Sequence, residues 1–162
     1  MTPDRATFLA RYGGVYEASP WVAEAVWSRV ADGTIADLQA LKSAMADVVD
    51  GASHEARMAL VRAHPELASR ARMADASVRE QSGAGLDQCS AEEFAAFQRL
   101  NAGYNARFGF PFIVAVKGLT RGDILEQFKL RLNNDAEVEF RTAMAQIHRI
   151  AGFRLDDLGF GA

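Results

Sequence analysis

Apolar residues recur along this chain at helical spacing, in blocks separated by capping and turn residues, and no run of alternating strand-like positions interrupts them. Phe8, Leu9 and Tyr12 share one face of a first helix, expected to start after Thr2 with Pro3 in its first turn and to end at Gly13-Gly14. A second helix is expected from Ser19-Pro20, with Val22, Ala25, Val26 and Val30 inward, until Asp32-Gly33 stops it. Thr34-Ile35-Ala36-Asp37 has the form of a capping box, after which Leu38, Leu41, Met45 and Val48 repeat up to Asp50-Gly51. Ser53 caps a fourth, carrying Met58, Leu60 and Val61. Pro65 ends it, because the residue before a proline is pushed out of the α region.

A short helix is predicted over residues 76–84, where Ser77, Glu80 and Gln81 stand three and four apart and share a face. Ser90-Ala91-Glu92-Glu93 opens a long helix with Phe94, Phe97, Leu100, Asn101, Tyr104 and Phe108 on one stripe, broken by Gly109. Residues 110–116, Phe110-Pro111-Phe112-Ile113-Val114-Ala115-Val116, are too short and too proline-interrupted for a helix and read as one buried extended segment. Thr120-Arg121-Gly122-Asp123 starts another helix with Ile124, Leu125, Phe128 and Leu132 inward. Asn134-Asp135-Ala136-Glu137 caps the last, in which Val138, Phe140, Ala143, Met144, Ile147 and Ile150 run on to about Gly152. The expected fold is therefore an all-α bundle of about eight helices in one domain, residues 1–162.

Composition narrows the function more than the fold. A chain of 162 residues can bury roughly 70% of its unfolded surface, so it needs no metal or disulfide staple. The net charge of -3, with both signs mixed along the chain, gives no reason to expect nucleic acid or an anionic membrane as partner; a small soluble ligand is the natural one. Cys89 is the single cysteine, which excludes an internal disulfide and suits a reducing cytoplasm; it reads as a small linker residue. The N-terminus lacks the apolar region of a secretory signal, and no apolar run approaches membrane-spanning length.

Metal-binding spacings, a nucleophile elbow, a phosphate loop and a dinucleotide fingerprint are all missing. Of the three histidines, His148 reads as a solvated or partly buried mid-helix side chain and His54 as a first-turn residue. His64 differs, because a proline follows it and carboxylates and amides lie nearby. At a helix end its charged form is favoured by the dipole, whereas burial favours the neutral form. Taken alone, Glu80 reads as an exposed helix residue and Arg154 as a C-terminal surface cation. Residue chemistry thus points to an acid/base pocket around His64 and Glu80.

Four motifs taken together carry more. His64-Pro65-Glu66-Leu67-Ala68, the pattern Ser-x-x-Glu-Gln-x-x-Ala-Gly-Leu from Ser77 to Leu86, Asn-x-x-Tyr-x-x-Arg-Phe-Gly-Phe-Pro-Phe-Ile from Asn101 to Ile113, and Ile-x-x-x-Arg-Leu-x-x-Leu from Ile150 to Leu158 resemble the 2-oxo-4-hydroxy-4-carboxy-5-ureidoimidazoline (OHCU) decarboxylases of urate catabolism. The resemblance spans essentially the whole chain in one order. It implies a cofactor-free carboxy-lyase, a homodimer, that turns OHCU into (S)-allantoin and carbon dioxide. His64 matches the family's catalytic histidine, Glu80 its catalytic carboxylate and Arg154 an arginine of the site. Pro65, then Ser77, Val78, Arg79, Glu80 and Gln81, and then Ile113, Val114, Ala115, Val116 and Lys117 match the stretches that line the substrate, with Phe110 and Phe112 as walls.

One departure concerns Ser69-Arg70-Ala71-Arg72-Met73-Ala74-Asp75, which is shorter than the loop expected of many members between His64 and Glu80. The competing readings are a helical ligand-binding module without turnover and a decarboxylase of a related ureido acid.

Overall fold

The computed structural model describes residues 3–68 and 75–161. Among these, the chain forms eight α-helices, one short 3-10 turn and no β-strand, the all-α architecture that the periodicity predicts. The helices are α1 (Arg5–Tyr12), α2 (Trp21–Ala31), α3 (Leu38–Asp50), α4 (His54–Ala63), α5 (Asp75–Gly83), α6 (Ala91–Phe108), α7 (Arg121–Arg131) and α8 (Ala136–Leu158). The 3-10 turn, Leu86–Gln88, lies between α5 and α6 and has no counterpart in the expected elements. Most of the shortened loop after Ala68, like Thr2, lies outside the described residues.

The chain divides into two compact units. The first takes α1 to α4 and α8 from His148 onward; the second takes the chain from His64 to Ile147.

In the first unit, α1 buries Phe8 and Tyr12, α2 buries Val22, Ala23, Val26 and Val30, and α3 buries Leu41, Ala44, Met45 and Val49. Ala25 is exposed and Ala23 takes the inward place. At about 100° per residue, position 23 lies only about 20° beyond the arc set by Val22, Val26 and Val30, and position 25 about 60° beyond its other edge. Side-chain caps start α1 and α3, whereas α2 follows Pro20 with no side-chain cap. Asp4 accepts the Thr7 N–H at 2.8 Å, so Pro3 precedes the cap instead of entering the helix. The Ser19 hydroxyl donates back to the Glu17 carbonyl at 2.8 Å and does not cap α2. Asp37, the last residue of the expected box and three residues after its expected cap Thr34, caps α3 by accepting the Ala40 N–H at 2.8 Å.

In the second unit, the capping box Ser90/Glu93 forms with both reciprocal bonds, and so does Thr120/Asp123 at α7. Gly109 ends α6 at φ 76°, a left-handed conformation that glycine adopts without steric cost. Tyr104 is packed edge-on against Phe110, Phe112 and Phe128, and Phe112 stacks on Phe128 with centroids 3.9 Å apart. Asp135 accepts the Val138 N–H at 2.8 Å and starts α8. That helix continues through Gly152 to Leu158, past its expected end. An interior glycine costs about 1 kcal/mol against alanine. Burial of Leu155, beyond the glycine, offsets that cost.

Candidate active site

His64 directly follows the last residue of α4 and is 8% exposed. The turn that carries it, His64-Pro65-Glu66-Leu67-Ala68, has no regular structure of its own, so its backbone groups need side-chain partners. They come from α5 and α6. Gln81 accepts the Ala68 N–H through Oε1 at 3.0 Å and donates through Nε2 to the Glu66 carbonyl at 3.5 Å. Asn101 donates to the Leu67 carbonyl at 2.9 Å, and Gln98 to the Ala68 carbonyl at 3.4 Å. Asn105 Nδ2 donates to the Glu66 carboxylate at 2.6 Å.

Ala68 itself sits at φ 55°, a left-handed conformation costing roughly 1–2 kcal/mol in a non-glycine residue. Such strain persists where surrounding contacts fix it, and here amides from two helices hold both its N–H and its C=O. The result is a rigid support immediately after His64.

On α5, Ser77 and Gln81 are buried and Glu80 is half-buried on the same face, as the spacing predicts. Val78 (46% exposed) and Arg79 stand on the opposite, exposed face. Pro65 is half-buried.

Residues 110–116 are buried throughout and Lys117 is exposed. The stretch 111–116 forms neither helix nor strand nor bend. Arg131 Nη1 donates to the Ile113 carbonyl at 2.6 Å, and Gln146 Oε1 accepts the Ala115 N–H at 2.8 Å. Arg131 is in turn fixed by Glu139, whose carboxylate lies 2.9 Å and 3.3 Å from its Nε, and its guanidinium lies 4.4 Å from the Phe112 ring centroid. Glu139 is 0% exposed and also accepts from Tyr104 at 2.8 Å. Burial, then the neighbouring Glu139 carboxylate, pushes the Tyr104 hydroxyl well above the usual tyrosine range.

Arg154 belongs to the first unit and is buried, contrary to its reading as a surface cation. It pairs with Glu17 at 2.9 Å and donates to the Gly14 and Val15 carbonyls at 3.3 Å. His148, in the same unit, is half-buried: Tyr16 Oη lies 2.8 Å from its Nδ1 and Asp50 Oδ1 2.8 Å from its Nε2. Tyr16 and His148 border a cavity of about 220 Å³ that Lys42 and Ser43 also line.

Sequence reasoning missed Gln98, Asn105, Arg131, Glu139 and Gln146, and placed Asn101 without a role. One signal was available: an asparagine in an otherwise apolar helical stripe requires a hydrogen-bond partner if the stripe is buried. The others sit at positions where a solvated side chain is the ordinary expectation.

The family model described as OHCU decarboxylase matches residues 2–156. The chain belongs to the OHCU decarboxylase family. It is 40% identical over 155 residues to a 2-oxo-4-hydroxy-4-carboxy-5-ureidoimidazoline decarboxylase of Halalkalicoccus jeotgali, covering 96% of this chain and 86% of that one. To the protein of the same description from Haloferax volcanii it is 42% identical over 152 residues, covering 94% and 89%. Among solved structures it is similar to a crystal structure of (S)-allantoin synthase, with a TM-score of 0.77 and 30% identity. That alignment takes in 96% of this chain and 51% of the other, so the chain spans about half of that protein's length.

Proposed function

We propose that this member of the family decarboxylates OHCU to (S)-allantoin and carbon dioxide in urate degradation, and that residues 1–162 act as one decarboxylase domain. The observation that carries the reading is the buried His64 on its amide-braced turn, in a chain matched by the family model from residue 2 to residue 156.

Decarboxylation breaks the bond between the carboxylate carbon and the ring. Carbon dioxide leaves, and the bonding pair stays on the ring, spreading into its oxygen and nitrogen atoms. Hydrogen-bond donors aimed at those atoms lower the barrier, and backbone N–H groups of residues 113–117 are assigned that task. Phe110 and Phe112 keep water out. A proton then reaches the carbon from one face, which sets the chirality of the product. His64 is assigned as the acid/base, since imidazole titrates near neutrality. Glu80, one turn from the buried Ser77, orients His64 or takes the ureido N–H groups. Pro65 and residues 77–81 line the substrate in this reading, with Gln81 also holding the turn and Val78 and Arg79 the least supported by their exposure. Arg154 is assigned to the site on its Ile150 to Leu158 motif alone.

The reading includes a homodimer, on the family resemblance, and a cytoplasmic location, which the single cysteine suits. Light scattering of the purified protein tests the first.

The activity test generates OHCU from urate in situ and follows the optical activity of the allantoin formed. The expected outcome is (S)-allantoin well above the spontaneous rate, with His64→Ala losing both rate and chirality by about 100-fold or more, the scale of a lost general acid/base. Racemic product at the spontaneous rate from the unmodified protein overturns the reading. Unchanged turnover in His64→Ala overturns the assignment of that residue.

A further inference from the structure

We propose that Gln146 and Arg131 are positioning residues that clamp one edge of the 113–116 segment, leaving the backbone groups of Val114 and Val116 as the edge that reads the substrate. This rests on the decarboxylase reading above and narrows it.

In an extended chain, the N–H and C=O of one residue point to one side, and those of the next residue to the other. With residues 113–116 extended, as their sequence leads one to expect, residues 113 and 115 share an edge. On that edge the Ile113 carbonyl accepts from Arg131 at 2.6 Å, and the Ala115 N–H donates to Gln146 at 2.8 Å. Both groups are thereby occupied by the protein. The Ala115 N–H has no second proton to give and the Ile113 carbonyl keeps only one free lone pair, so this edge is the poorer candidate for binding substrate.

The opposite edge carries the Val114 N–H and C=O and the Val116 N–H. The Val116 carbonyl accepts from the Leu119 N–H at 3.0 Å, which closes the turn through Gly118 at φ 82°. Thus the segment is fixed at both ends and along one edge. An N–H donor, a carbonyl acceptor and a second N–H donor follow in order along the other edge, which suits a ureido or ring-amide group presenting the complementary acceptor, donor and acceptor.

The clamp is itself rigid. Arg131 is held by the fully buried Glu139, and its guanidinium lies over Phe112, the residue before Ile113. Gln146 is on α8 and Arg131 on α7, so two helices set the register of one short segment.

Gln146→Met keeps the side-chain length and removes the acceptor; Gln146→Glu restores an acceptor. Kinetics with OHCU made in situ are expected to give a KM raised about tenfold in the Met variant, the factor carried by about 1.4 kcal/mol, with kcat changed much less. The Glu variant is expected to recover most of that loss, which a merely structural role would not require. Amide exchange by NMR is expected to show the Ala115 N–H protected in the unmodified protein and in the Glu variant, and faster in the Met variant. Titration with (S)-allantoin is expected to shift the Val114 and Val116 amides more than that of Ala115.

An unchanged KM in the Met variant, a Glu variant no better than Met, or an allantoin shift centred on Ala115 overturns the proposal. If the unmodified protein fails to accelerate OHCU decarboxylation, the functional reading fails. The clamp is then decided by the exchange of the Ala115 amide alone, and an unprotected amide overturns it.

Discussion

Asn101 is a polar side chain of α6 that reaches the turn carrying His64. It is 1% exposed, donates to the Leu67 carbonyl, and its own Oδ1 has no hydrogen-bond partner among the described residues. Replacement by leucine of similar size removes the unsatisfied oxygen but also strips Leu67 of its donor. A buried acceptor left unmade costs about 1–3 kcal/mol, and the removed Oδ1 returns part of that. Asn101→Leu is therefore expected to lower the melting temperature by only a few degrees. Its larger effect is expected on turnover, measured well below that temperature, because Leu67 lies in the turn that carries His64. A large loss of stability with unchanged kcat/KM would show that Asn101 serves the core and not the turn. At Cys89, burial and then Glu93 push the thiol above the usual range, outweighing the pull of Arg121, so the surroundings disfavour a thiolate nucleophile.

Among the helices, those legible in the sequence are the ones whose ends are chemically marked. The boxes Ser90/Glu93 and Thr120/Asp123 announce α6 and α7 at the observed residues, because the cap and the first turn satisfy each other locally. Where two cap residues compete, pattern alone picks wrongly: Thr34 and Asp37 both suit a cap, and it is Asp37 that accepts the first-turn N–H, from Ala40. The α6 box also makes a prediction about pH. Glu93 is held below the usual carboxylate range by the Ser90 N–H, and further by Arg121 at 2.9 Å. A folded pKa below the unfolded one stabilises the protein above the unfolded value, about 4.5, and the contribution is lost as pH falls through the folded value. Glu93→Gln is thus expected to melt below the unmodified protein at pH 7, with the gap closing as the pH is taken below 4. A gap that persists unchanged into acid would mean that the carboxylate charge does not matter there.

For the chain as a whole, the sequence pattern gives helix number and type, and the site only in part. His64, Glu80 and Gln81 are legible because their spacing and the proline mark them. Arg131, Glu139 and Gln146 are not, because their partners lie 18, 35 and 31 residues away along the chain, at Ile113, Tyr104 and Ala115. Periodicity is a local signal and cannot pair them. The same limit explains α8, which was expected to stop near Gly152. Instead it is one continuous helix that gives Ala143, Met144 and Ile147 to the second unit and Ala151 and Leu155 to the first. Stopping at the glycine would remove Leu155 from the core, so tertiary burial outweighs the local cost of the residue. That cost can be recovered. A Cβ built on Gly152 meets nothing within 4 Å, so alanine fits the helix without displacing a neighbour. Gly152→Ala is expected to stabilise by about 0.5–1 kcal/mol through the lower entropy of the unfolded chain, raising the melting temperature by about 1–4 °C. Calorimetry decides it: a lowered melting temperature would mean that the space beside Gly152, which borders the cavity near His148, is needed by the folded chain.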